Sequence, residues 1–402
     1  MTPLDTEPAC PGSKTDIAPE RVTGGNSRLI AERRPFDSID QGSWDRLAGA
    51  NPWSTPFASW AFHRAWWDGY GSSAHEETLI VCEDGPGSRS EPIAIVPLMH
   101  RHGVEPTDEA TRSTIRHGPG LRLTPIRPES KLVFFGASYH ADYATILAAP
   151  DDLPAVADAV AETLAAEPGD GFGNPLPWDA VDLRRLRCGD SAGDALLAAF
   201  ARRDPEAGWR TASEREDVSP VVTLEPGWDF DAYLATLGKK HRHEIRRKIR
   251  RAASSGEITL TESPNPLDDL DQFIDLHQKR WGDAGLFPPT QGGEASRVFV
   301  RRLFELFEPE TIRLMFLSVG GRRIAAGIHF ETPDGLLFYN AGTDPDARAL
   351  SPGVLMVAEY VRWALERGLR RLDFLRGAEP YKYEWGAVDE PIQRVLVVRD
   401  AE

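Results

Sequence analysis

The chain has 402 residues, 41% hydrophobic and 27% charged, with a formal net charge of -16; this length exceeds one ordinary core and predicts about two domains of a soluble globular protein. No apolar run approaches the roughly 18–20 residues that span a bilayer, and the N-terminal MTPLDTEPACPGSKTDIAPER lacks the apolar centre of a secretory signal. The acidity argues against a protein that coats nucleic acid; the scattered Cys10, Cys82 and Cys188, with no Cys-x-x-Cys, argue against a disulfide framework or a thiolate metal site and fit a cytoplasmic protein.

Residues 1–35, rich in Pro, Gly, Thr and charge, are expected to form a disordered leader. A first unit is expected over 36–226 and a second over 227–402. In the first, SWAFHRAWWDGYG (59–71) sets Trp60, Phe62, His63, Trp66, Trp67 and Tyr70 at helical spacing, with Gly71 as the stop. ETLIVCED (77–84) and EPIAIVPLMH (91–100) predict two strands around a turn-rich linker. A helix over 151–167 with an acidic start, a strand over 178–187 and a helix over 194–203 follow.

In the second unit, Leu234, Leu237, His241, Ile245, Ile249 and Ala252 recur every three or four residues, which predicts one amphipathic helix. Next come the strand ITLTE, the helices LDDLDQFIDLHQKRWGD and ASRVFVRRLFELFE, and three antiparallel strands with tight Gly turns, IRLMFLSV, RRIAAGIHFE and LLFYNAGT. The helix SPGVLMVAEYVRWALERG, the strand LRRLDFLRG and a closing IQRVLVVR complete the chain. Both units show strand–turn–strand, polar loop, long helix, strand. An internal duplication is the simplest reading, giving an α/β (α+β) fold in which each unit is a mixed, mostly antiparallel sheet flanked by helices.

Three stretches carry candidate chemistry. The segment Lys239 to Ala252 holds eight Lys or Arg and one acid, Glu244. Helical spacing sets Arg242, Arg246 and Arg250 in one row and Lys239, Arg247 and Arg251 near another; one row can pair with the acidic body while the other lines a cleft, or the whole face can simply be solvated. Second, Arg348, Ser351, Pro352, Gly353 and Val354 stand at a helix start, where open N–H groups and the positive dipole end suit an anion, although Ser-Pro is also an ordinary helix opening. The matching start in the first unit carries Asp151 and Asp152, which would repel a pyrophosphate. Third, AEPYKYEWGA (378–387) packs Tyr381, Lys382, Tyr383, Glu384 and Trp385 behind the strand that ends in Asp373. Tyr and Glu can move protons and Lys382 can stabilise an anion, or the segment can be a structural aromatic loop.

LRRLDFLRGAEPYKYEWGA, preceded by GTDPDARALSPGVLMVAEYVRWAL, resembles the C-terminal half of the cellulose-biosynthesis (CelD-like) group of GNAT acetyltransferases, relatives of the Fem peptidoglycan aminoacyltransferases. The resemblance runs back through KRWGD and the basic segment to about Asp229, and more weakly over the first unit. It implies tandem GNAT-like units and acyl transfer to an amine, with acetyl-CoA (acyl-CoA) as co-substrate rather than a tightly bound cofactor, and no metal. The acyl-CoA pyrophosphate then falls on Arg348, Ser351, Pro352, Gly353 and Val354, where SPG replaces the family's glycine-richer form. YKYEWG (381–386) is similar in shape to the Fem FK-x-x-FG string, which implies Lys382 near the reacting centre, Tyr381, Tyr383 and Glu384 as base candidates and Asp373 behind them. Arg242, Arg246, Arg247, Arg280, Trp281 and Trp385 are the expected acceptor-binding residues. The acceptor implied is a small amine, nucleotide- or sugar-linked, in cell-envelope or polysaccharide metabolism, without DNA. An aminoacyl-tRNA donor and a non-catalytic scaffold of a polysaccharide pathway are the alternatives.

Overall fold

A computed structural model of the chain describes residues 28–84, 91–102, 123–127, 130–166 and 178–399. Cys10 and most of the expected leader lie outside them. The leader does not extend to residue 35: strand β1 (Leu29–Arg33) pairs with Leu79–Glu83. Its Leu-Ile-Ala pattern has a sheet edge to cover, which composition alone does not reveal. Cys188 is disulfide-bonded, although the scattered cysteines argue against a disulfide framework.

The first half continues with α1 (Gln41–Ala50), α2 (Trp60–Tyr70), β2 (His75–Glu76), β3 (Leu79–Glu83), β4 (Ala94–Val96) and β5 (Leu98–His102). Pro97 separates β4 from β5, and the two strands belong to different sheets. Then come β6 (Lys131–Phe135), β7 (Leu147–Ala148), α3 (Leu153–Ala165), β8 (Ala180–Arg187), α4 (Ser191–Ala207) and β9 (Trp209–Thr223). Helix α2 starts on a Ser59 cap, whose hydroxyl accepts from the Phe62 N–H, and its aromatic face is buried.

The second half holds α5 (Phe230–Thr236), α6 (Lys239–Ala253), β10 (Ile258–Glu262), α7 (Pro266–Trp281), α8 (Gln291–Leu306), β11 (Ile312–Val319), β12 (Arg322–Glu331) and β13 (Gly335–Thr343). It ends with α9 (Pro352–Glu366), β14 (Arg371–Asp373), α10 (Pro380–Glu384) and β15 (Val388–Arg399). The single helix expected through Leu234 and Ala252 is two helices. Leu237 and Gly238 are extended at ψ 153° and 140°, and the turn at Gly238 lets Tyr233 and Leu234 reach the same core as Ile245 from a different direction. The segment expected as a loop at 378–387 contains α10, opened by Pro380.

One sheet runs through both halves in the order β10–β11–β12–β13–β14–β9–β15–β8–β6–β5–β2; a smaller one is β1–β3–β4–β7. The large sheet is antiparallel except for two parallel pairs, β6 with β8 and β13 with β14. A helix crosses over between the strands of each pair, α3 in the first half and α9 in the second, as parallel pairing requires. The fold is thus mixed α/β, its sheets dominated by antiparallel pairs and flanked by helices. β9 pairs with both β14 and β15, so main-chain bonding crosses the expected boundary at 226/227. One core lies between β8 and helices α3 and α4, a second under α5, α6 and α9, and a third joins α2 to α7 and α8. No helix among the described residues is long and apolar enough to cross a membrane.

Candidate functional site

β13 and β14 are paired only over Gly335–Leu337 and Arg371–Asp373. Beyond Leu337 the strands part. β13 also changes register against β12 between Ile328 and His329, so that Tyr339 is an extra residue between Phe338 and Asn340. Such a bulge re-aims the strand next to a site. The sheet is thus open between β13 and the segment after Asp373, which no longer pair with each other. Gly342 marks how closely α7 packs on the far side of β13: a Cβ there would stand 2.3 Å from the His277 nitrogen.

β13 leads through a short helical turn to α9. Ser351 sits between them in the left-handed region (φ 58°, ψ 56°), uncommon for a residue with a side chain. Its carbonyl accepts from the Val354 and Leu355 N–H groups, and its hydroxyl accepts from Arg251 Nη2 at 2.7 Å. Pro352 has no N–H, and α9 itself supplies no acceptor for that of Gly353. Gly353 is exposed, with nothing within 4 Å of where a Cβ would stand. Arg348 is exposed on the preceding turn, while Pro352 is buried and Val354 half-buried. The structure therefore gathers Ser351, Gly353 and Arg348 at one helix start and adds Arg251.

Three other cations of α6 have local duties. Arg242 donates to the Ala235 carbonyl at 3.0 Å, Arg246 to Asp231 at 2.8 Å, and Arg247 makes two bonds to Glu244 at 2.8 and 2.6 Å. Arg246 also lines an open pocket of 330 Å³ between α5, α6 and α9, which Phe230, Leu234, Arg250 and Arg362 share. Arg242 and Arg246 thus face α5, whereas Arg251, one turn beyond Arg247, reaches the start of α9.

The third stretch divides. Tyr381 is 43% exposed and lies edge-on to Phe374, with ring centroids 5.9 Å apart. Arg280 is close enough for its charge to act on the Tyr381 hydroxyl. Trp281 is 50% exposed, and its indole N–H donates to the Ala341 carbonyl of β13 at 3.4 Å. Tyr381 therefore stands beside the segment after Asp373, and Trp281 beside β13. Tyr383 donates to Asp389 at 2.7 Å and Glu384 is exposed. Trp385 is 2% exposed, packed with Tyr233 and Leu237, and its carbonyl accepts the Tyr233 hydroxyl at 2.6 Å; as a core residue it offers no surface to an acceptor. Lys382 is 3% exposed, and its ammonium is surrounded by the carbonyls of Leu375, Arg376 and Gly377 at 3.0, 2.8 and 2.9 Å and by Glu379 at 2.8 Å. An ammonium has three N–H donors, so none is left over for a substrate.

Asp373 is the last ladder residue before the opening. Its carboxylate accepts from the Tyr143 hydroxyl and from the Leu375 N–H at 2.7 and 2.8 Å. Burial pushes this carboxyl above its usual range, against the pull of the Tyr143 hydrogen bond and of Arg371 and Arg187. Arg376 donates to Asp142 at 2.9 Å and lies 4.0 Å from Glu216. Asp142 and Tyr143 come from the first half. They carry no sequence signal of their own and meet the site only because the halves share a sheet. Arg376 lies in the Asp-Phe-Leu-Arg-Gly string, the available signal for it.

Residues 239–383 match the family model described as an acetyltransferase (GNAT) domain. In overall structure the chain is similar to FemX, at 9% identity and a TM-score of 0.52, covering 90% of this chain and 96% of that one. It is also similar to a conserved protein of unknown function from Bacteroides thetaiotaomicron VPI-5482, at 12% identity and a TM-score of 0.51, covering 90% and 98%. At these identities the two likenesses show a shared fold and do not carry function. No curated protein matches the chain. The segment from the basic helix to α10 is thus similar to a GNAT acetyltransferase domain, and this supports an acyltransferase.

Proposed function

We propose that the chain transfers an acyl group, acetyl first among candidates, from acyl-CoA to an amine, as a member of the CelD-like group of GNAT proteins. One observation carries this reading: β13 and β14 separate after Leu337 and Asp373, and β13 runs on into a helix start where Arg251, Ser351 and Gly353 gather. An extended thioester arm fits such an opening, and its diphosphate fits an N-terminus with an arginine beside it. The amine nitrogen attacks the thioester carbonyl; the C–N bond forms, the C–S bond breaks, and the thiolate leaves to be protonated as CoA. A main-chain N–H on the unpaired edge of β13 holds the oxyanion. Asp373 is the base candidate for the ammonium proton, reached through water; its carboxylate accepts from the Tyr143 hydroxyl, and burial raises its carboxyl above the usual range. The exposed Trp281 and Tyr381 with Arg280 between them suit a nucleotide- or sugar-linked acceptor, as in cell-envelope chemistry.

The first test is calorimetric titration with acetyl-CoA, followed by release of free thiol in the presence of amine acceptors. Asp373→Asn is expected to lower kcat by about 10²–10⁴ while leaving CoA affinity unchanged. Absence of binding by any CoA species would refute the donor. The exposed cations of α6 favour aminoacyl-tRNA as the second reading, whose mark is binding that falls steeply with salt.

A further inference from the structure

A strand that leaves a ladder must place its main-chain polar groups elsewhere. After Asp373 the chain stays bonded to β9: the Phe374 N–H donates to the Pro220 carbonyl at 3.1 Å and the Gly377 N–H to the Val218 carbonyl at 3.0 Å. The ladder with β13 stops at Asp373. Three successive carbonyls, those of Leu375, Arg376 and Gly377, then converge on the Lys382 ammonium within 3.0 Å.

That convergence needs a special backbone. Leu375 is at φ 59° and Gly377 at φ 105°. A Cβ on Gly377 would lie 2.7 Å from the Glu379 carboxylate, which folds beneath it to reach the same ammonium at 2.8 Å. Leu375 is a buried core residue held in the left-handed region, a conformation that persists only where the surroundings enforce it. Its side chain enters the core that joins the halves, while Phe374 enters the core under α9 and Arg376 pairs with Asp142. Lys382 is the group common to all three carbonyls.

We propose that Lys382 is a positioning residue that holds the β13–β14 opening apart. By taking the carbonyls of 375–377 it keeps this segment from extending the ladder, and leaves the Phe338–Thr343 edge of β13 to a ligand. The inference rests on the acyl-donor reading only for what fills the opening. It differs from an oxyanion role in a testable way, because CoA carries no acyl carbonyl.

Two measurements on the full chain decide it: amide hydrogen exchange, and calorimetric titration with CoA, for wild type and Lys382→Met. The Phe374 and Gly377 amides are expected to exchange about tenfold faster or more in the variant, with those of β11 and β12 unchanged. CoA affinity is expected to fall about tenfold or more. Lys382→Gln, which keeps two of the three donors, shows the same local change at smaller size and decides the matter should Lys382→Met not fold. Unchanged exchange at Phe374 and Gly377 overturns the proposal. So does unchanged CoA affinity with a lowered kcat, which would make Lys382 a catalytic group. Wild-type protein that binds no CoA refutes the donor reading instead, and the exchange data still decide the role of Lys382.

Discussion

Gly353→Ala separates a helix start that holds a diphosphate from one that only begins a helix. In the folded protein the new methyl meets nothing within 4 Å, and no left-handed φ opposes it. Its cost to the fold is therefore near zero, and Ala in place of Gly in a helix gains up to about 0.5–1 kcal/mol. A phosphate drawn onto the Gly353 N–H would meet that methyl and lose a charge-assisted hydrogen bond, about 1.5–3 kcal/mol. The expected result is a rise in Kd for CoA of roughly 10- to 100-fold with an unchanged or raised Tm. The assay is calorimetric titration with CoA and with adenosine 3′,5′-bisphosphate, beside thermal unfolding of the same preparations. An unchanged Kd for CoA in a variant of unchanged Tm would refute the placement of the diphosphate at this helix.

Burial holds the imidazoles of His63 and His140 down to about 3 and that of His277 to about 4, against an ordinary value of 6.5. The unfolded chain takes up these protons first, so the stability they contribute is full above about pH 6.5 and is lost as pH falls toward their folded values, at up to about 1.4 kcal/mol per pH unit each. Urea unfolding at pH 7, 6 and 5 should show a fall in ΔG that steepens below pH 6; a flat profile would contradict the burial of these rings. Gly342→Ala should destabilise by about 1–3 kcal/mol and shift the Trp281 fluorescence. Its Cβ would stand 2.3 and 2.5 Å from backbone atoms of His277 and Leu276, and a helix backbone cannot turn aside as a side chain can. A wild-type urea midpoint in that variant would show that α7 does not press on β13.

Local pattern was enough to read most elements. The aromatic helix through Trp60 and Tyr70, the hairpin strands at Ile312–Val319 and Arg322–Glu331, and the helix opened by Pro352 follow from periodicity and caps, which act between near neighbours. The break at Gly238, the strand at Leu29–Arg33 and the short helix at Pro380–Glu384 were not legible, because each answers to a core or sheet edge supplied by distant residues. Residue types alone also left Lys382 open between chemistry and structure: its partners Leu375, Arg376 and Gly377 are near in sequence, but only a backbone turned left-handed at Leu375 aims their carbonyls at it. The sequence by itself determined the fold class, the basic face of α6 and the SPG helix start. Tertiary structure decided which cation serves that start, through Arg251 and Ser351, and which first-half residues meet Asp373 and Arg376, because strand pairing across 226/227 joins residues more than two hundred positions apart.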